Sequence, residues 1–144
     1  MYLKPVTTTI ETLAAKTPPT RQPTRRQVGF PRQVWRLVAQ ITLYRLAPNG
    51  ELQLVLFDSG SYMQAAVPAA VCIPLRARHR AAIIAARAAI MRCGPATESW
   101  EPLGAVAYVS GVGYWGKRGA RTAAPNGAEL SPVVEFAPIA GCGA

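Results

Sequence analysis

The most constraining feature of this chain is an alternation that starts at Trp35. Trp35, Leu37, Ala39, Ile41 and Leu43 fall on one side of residues 35–44, and Arg36, Val38, Gln40, Thr42 and Tyr44 on the other. A period of two is what a half-buried strand requires, because successive side chains leave opposite faces of the pleat. Ala47-Pro48-Asn49-Gly50 then turns the chain: proline presets φ, and Asn-Gly accepts positive φ. Leu52, Leu54 and Leu56 alternate with Gln53, Val55 and Phe57, Asp58-Ser59-Gly60 makes a second tight turn, and residues 62–67 form a third strand. Three strands joined by two short turns are a meander, which cannot cover both of its own faces.

The C-terminal half of the chain supplies the cover. Residues 75–92 are predicted to be a helix, with Pro74 in its first turn and Gly94-Pro95 past its end. His79, Ile83, Ala86 and Ile90 share an apolar face of it, and Arg76, Arg80 and Arg87 a solvated one. A fourth strand is expected over 105–112, with a bulge or bend at Gly111 and Gly113, and a fifth over 130–136, entered at Pro132. Residues 114–128 read as a long loop. Meander, helix and two further strands is the order of the OB-fold, a small five-stranded barrel, with the helix plugging one end. The fold class is therefore mostly β with one helix, an OB-like barrel over residues 34–138. Another small α+β sandwich or a half-open roll shares the order.

The 144 residues suffice for one domain. Residues 1–33 are a Pro/Thr-rich basic arm, expected to be largely extended or mobile, with 6–10 suited to an edge strand. Residues 139–144 are a tail. No run approaches the about 18–20 apolar residues of a membrane span. The start lacks the apolar segment of a signal peptide, so the chain reads as cytoplasmic as it stands, and as exported if a leader precedes it.

Net charge is +9, and seven of the sixteen basic residues against one of the seven acids lie at or before Arg36. This balance favours polyanionic partners, nucleic acid or an anionic surface. The cluster Arg21, Arg25 and Arg26 sits in a composition that reads more readily as a solvated linker than as a phosphate site.

Catalytic and metal chemistry find little to stand on. Cys72, Cys93 and Cys142 form no CxxC or Cys/His cluster, and His79 is the sole histidine. Cys72 and Cys93 flank the predicted helix and stand too far apart to pair. Cys142 is sterically open to either. The acids provide no tight pair for acid/base work. No catalytic residue, metal or cofactor is assigned.

The run Gly111-Val112-Gly113-Tyr114-Trp115, with Ala124-Pro125-Asn126-Gly127-Ala128-Glu129-Leu130-Ser131-Pro132-Val133, resembles a family of largely uncharacterised, often exported bacterial proteins. Their C-terminal half reads GVGF(F/W)DFxHGQxGxAPNxxELHPV. Residues 51–58 and the Arg87 helix look like the same family's strand and helix. Arg118 stands where the first motif histidine would be and Ser131 replaces the second, so a metal or proton-transfer role resting on them is lost here. Asn126 and Glu129 remain.

In OB-folds ligands lie across strands two and three, between the first and last loops, here 45–50 and 114–128. The second loop offers Tyr114 and Trp115 for stacking and Lys117, Arg118 and Arg121 for phosphates, with Tyr62 and Gln64 extending the platform. The leading expectation is a non-enzymatic module binding single-stranded nucleic acid or another polyanion. The alternatives are an exported hydrolase- or nuclease-like protein, inactive in this copy, and a structural or protein-interaction domain.

Overall fold

The computed structural model describes residues 4–20 and 29–142. A two-residue strand β1 (Val6–Thr7) and a short helix α1 (Ile10–Ala14) precede the meander β2 (Val34–Leu46), β3 (Leu52–Asp58) and β4 (Ser61–Val67). Then come α2 (Arg80–Cys93), β5 (Glu101–Pro102), β6 (Val106–Trp115) and β7 (Ala128–Ala140). The β3–β4 turn places Ser59 and Gly60 at positive φ, the mirror-image turn whose twist matches that of the flanking strands.

The sheet runs β2-β3-β4-β7-β6 and returns to β2, a closed five-stranded barrel. Its pairs are antiparallel except β4–β7, which is parallel. This is the small OB-like barrel that the order of elements predicts. Closure removes the exposed edges that an open sheet must defend. The β4–β7 ladder holds only Gln64 opposite Glu129 and Ala65 opposite Leu130, so the two strands diverge beyond them. Helix α2 packs along β7 and touches β4, sending Ile83, Ala86 and Ile90 into the core. It covers that seam, whereas closure itself is made by strand pairing, above all the long β2–β6 ladder.

The alternation of the sequence is largely what is buried. Leu37, Ala39 and Ile41 of β2, Leu52, Leu54 and Leu56 of β3, and Met63, Ala65 and Val67 of β4 point inward. A register shift between Ile41 and Leu43 then inverts the pattern. Tyr44, expected outside, is buried and donates its hydroxyl to the Pro95 carbonyl at 3.0 Å, while Leu43 is only half-buried. A bulge adds one residue to one strand, which is enough to exchange its faces.

Several boundaries differ from the sequence reading. Helix α2 begins at Arg80 rather than Leu75, because the buried Ile73 pins the preceding segment and residues 70–72 make a 3-10 turn. Leu75 is left exposed. Strand β6 continues through Tyr114 and Trp115 instead of ending at Val112. Pro132 lies inside β7 at a bulge, where Ser131 and Pro132 together stand opposite the single residue Val112 of β6, so no ladder bond is asked of its missing N–H. The Ser131–Pro132 bond is cis.

The sequence predicts an extended arm with an edge strand over 6–10. Only Val6 and Thr7 pair, in parallel with Trp35 and Arg36. Thr9 then caps α1, accepting from the Thr12 N–H, and Ile10 and Leu13 are fully buried against the core. The cluster Arg21, Arg25 and Arg26 lies outside the described residues. In the tail, Cys142 is disulfide-bonded to Cys93 with 4.7 Å between Cα atoms, which resolves the pairing that spacing left open; Cys72 is free and exposed.

Candidate functional site

Barrel register brings three of the polar residues into a row. Gln64 of β4 stands beside Glu129 of β7, and Glu129 beside Tyr114 of β6. All three alternate with inward-facing neighbours (Ala65, Leu130, Trp115), so the row lies on the outer face. Tyr114 is 47% exposed. Gln64 donates its amide to the Thr122 hydroxyl at 3.2 Å, which holds loop 116–127 over this face.

Glu129 is the group that chemistry notices. Burial, with the charge of Glu51 adding to it, pushes its carboxyl up to about 7. The carboxylate lies directly against Gly116, in the space a Cβ there would fill. The sequence singles out Glu129 only as part of a resemblance, because its burial depends on a loop that returns over it from thirteen residues upstream.

The remaining expected site residues are dispersed. Trp115, expected as a stacking platform, is 7% exposed, with its ring 4.4 Å from that of Phe30. It belongs to the core. The alternation Ala107, Val109, Gly111, Gly113, Trp115 already carries that signal once β6 is allowed to run on. The glycines read as a loop, yet Gly113 is small because the Phe30 backbone passes over it, and its N–H donates to the Gln33 carbonyl at 3.1 Å. Tyr62 stacks obliquely on Phe57, centroids 4.8 Å apart, and shares a groove of about 320 Å³ with Arg121 and Glu11. Arg118 is exposed but donates to the Pro19 carbonyl at 2.9 Å, tying the loop to the arm. Lys117 and Arg121 are exposed on the same loop.

Asn126, another residue of the resemblance, is structural. Its Nδ2 donates to the carbonyls of Leu13 and Lys16 at 3.0 and 2.9 Å, and its Oδ1 accepts from the Ala128 N–H at 3.0 Å. It thereby caps the end of α1 and fastens the arm to the barrel.

A second row has no counterpart in the sequence reading. Arg36 on β2 pairs with Ser110 on β6, and Ser110 with Glu135 on β7. Glu135 Oε1 accepts from Arg36 Nε at 2.9 Å and from the Ser110 hydroxyl at 2.6 Å. Burial alone would raise the Glu135 carboxyl, but these two donors and the guanidinium charge outweigh it and hold it below its ordinary value. The guanidinium also sits 3.9 Å from the Tyr108 ring. Outward polar residues on three strands carry no signal of their own in sequence. Only the closure of β2 on β6 joins them into a clamp.

Among the described residues, no three His, Cys, Asp or Glu side chains gather as a metal site, and no helix is long and apolar enough to cross a membrane. Comparison with protein-family models, curated proteins and solved structures gives no match.

Proposed function

We propose that this chain is a non-enzymatic OB-like binding module that takes a single-stranded nucleic acid or another polyanion across the outer face of β4, β7 and β6, alongside loop 116–127. The observation that carries the reading is the row Gln64–Glu129–Tyr114: an exposed aromatic ring beside two hydrogen-bonding side chains, with Lys117 and Arg121 on the loop above. Tyr114 stacks on a base, and Tyr62 with Arg121 extends the track along β4. Trp115 takes no part, and Arg118 contributes charge from a position tethered to the arm.

Glu129 makes this reading specific. The carboxyl lies against Gly116 beneath the loop, so it acts on a strand outside through its charge alone: ionised, it opposes a phosphate, and protonated it does not. Binding therefore strengthens as pH falls through about 7, the value to which burial raises this carboxyl. The test is anisotropy of a labelled single strand of about 15 nucleotides, at two salt concentrations and at pH values on either side of that titration. Steep salt dependence with tighter binding at the lower pH supports the proposal. Arg121→Ala weakens binding and reduces the salt slope by about one; binding unchanged by that substitution removes the loop from the site.

The Cys93–Cys142 disulfide favours a second reading, because such bonds persist in oxidising compartments. In it the chain is an exported, inactive hydrolase-like relative of the family it resembles, with Arg118 and Ser131 in place of both histidines. Phosphoester turnover abolished by chelation is the outcome that would restore activity to this reading.

A further inference from the structure

The segment between β4 and α2 is unlike the rest of the surface. Val71 is 94% exposed and Leu75 84% exposed, the two most exposed large apolar side chains among the described residues. Cys72 between them is exposed as well, while Ile73 is buried and anchors the segment to the barrel. An aliphatic side chain left almost wholly in water gains nothing for folding. Two of them, held out on either side of a buried anchor, form a protruding apolar tip rather than a flat face or groove.

The charges that follow this tip along the chain have one sign. Arg76 and Arg78 come just after Leu75, and α2 starts at Arg80 with no acid in its first turn. No acid of the first turn offsets the positive end of the helix dipole. Between Asp58 and Glu98 the chain carries five arginines and no acid at all. In most proteins a stretch this long mixes both signs, which is what keeps a surface from adsorbing to polyanions.

We propose that this tip is a peripheral docking element for an anionic lipid bilayer. Val71 and Leu75 enter the acyl boundary, and Arg76 and Arg78 lie at headgroup depth against lipid phosphates. A shallow apolar insertion combined with cations that remain among the headgroups is the arrangement that gives reversible interfacial binding. A nucleic acid would engage the arginines and leave both aliphatics in water. A bilayer satisfies the two together, and this charge complementarity around an apolar tip selects it. The surface is separate from the Gln64–Glu129–Tyr114 row, so the proposal stands or falls independently of the binding reading above.

Cys72 gives a direct reporter, being the free cysteine when Cys93 and Cys142 are bonded. An environment-sensitive fluorophore on Cys72 is followed as the full chain is titrated with vesicles of phosphatidylcholine, with and without phosphatidylglycerol. Co-sedimentation of unlabelled protein with the same vesicles runs in parallel. The expected result is a blue shift and co-sedimentation only with the anionic vesicles, weakened by salt. Val71→Ser with Leu75→Ser lowers partitioning at least about tenfold, with the thermal transition unchanged because both side chains are exposed. Arg76→Gln with Arg78→Gln does the same through charge. Failure to bind anionic vesicles, binding with the label still in water, or undiminished binding by the serine variant would each overturn the proposal. So would a blue shift produced by the single strand alone.

Discussion

The Glu129 carboxylate occupies the space that a side chain on Gly116 would need. The loop after β6 and the strand that begins β7 are fitted together at this point, with Gly116 N–H donating to the Gly127 carbonyl at 2.7 Å. Glycine is used here for room. Gly116→Ala pushes the end of a flexible side chain outward, so it costs less than about 1 kcal/mol. It also returns the Glu129 carboxyl toward its ordinary range by restoring solvent to it. Titration of this carboxyl by NMR in the two proteins measures the difference.

Glu129 also shapes stability against pH. Its folded value of about 7 lies above the ordinary 4.5, so between those values the folded protein holds a proton that the unfolded chain has released. This group's contribution is therefore greatest below 4.5 and is lost as pH rises to about 7. Discounted for solvent contact, the loss is about 1–2 kcal/mol. Glu129→Gln removes that decline. Glu135 acts with the opposite sign, since its carboxyl is held low by Arg36 and Ser110, and its stabilisation is lost only in acid. Denaturant melts across pH should show the first decline vanish in Glu129→Gln and the acid decline remain.

Asn126 satisfies two carbonyls of the arm and one N–H of the barrel. Asn126→Ala removes all three bonds, leaving the Leu13 carbonyl only its bond from the Lys16 N–H, and costs about 1–3 kcal/mol. Because the bonds join α1 to β7, the same substitution should raise hydrogen exchange in residues 10–16 before the barrel strands respond. Uniform acceleration throughout the domain would show that the arm and barrel unfold as one unit.

Adjacent aromatics have opposite consequences. Trp115→Ala opens a cavity against Phe30 and costs about 3–5 kcal/mol. Tyr114→Ala changes stability by less than about 1 kcal/mol, since its ring faces solvent. If the outer row binds single strands, Tyr114→Ala loses about 1–3 kcal/mol of affinity. Melting curves and anisotropy on both variants separate the two roles.

Cys93–Cys142 spans 49 residues and fastens the segment after β7 to the end of α2. Cys93→Ser is expected to cost roughly 2–4 kcal/mol, mainly through a looser unfolded chain. Thiol titration checks the bond directly: Cys72 alone reacts in the native, unreduced protein, and all three cysteines react after reduction and unfolding.

The sequence by itself determined the strands of the meander, their turns, the main helix and the order that makes a barrel of this kind. These are local properties. A period of two comes from the pleat, and Asn-Gly or Ser-Gly turns come from backbone sterics. Tertiary structure decided which residues meet. Period two divides a strand into two faces but does not say when a bulge will exchange them, as happens at Tyr44. It could not end β6 correctly, because the smallness of Gly113 is explained only by Phe30 lying over it. The sequence names Gln64 and Tyr114 as candidates, but not that Glu129 stands between them, and it gives no sign of Arg36–Ser110–Glu135, because the members of each row come from three separate strands. Those rows exist because β7 enters between β4 and β6 and β6 closes on β2, and the registers of those ladders are set by packing the whole barrel at once.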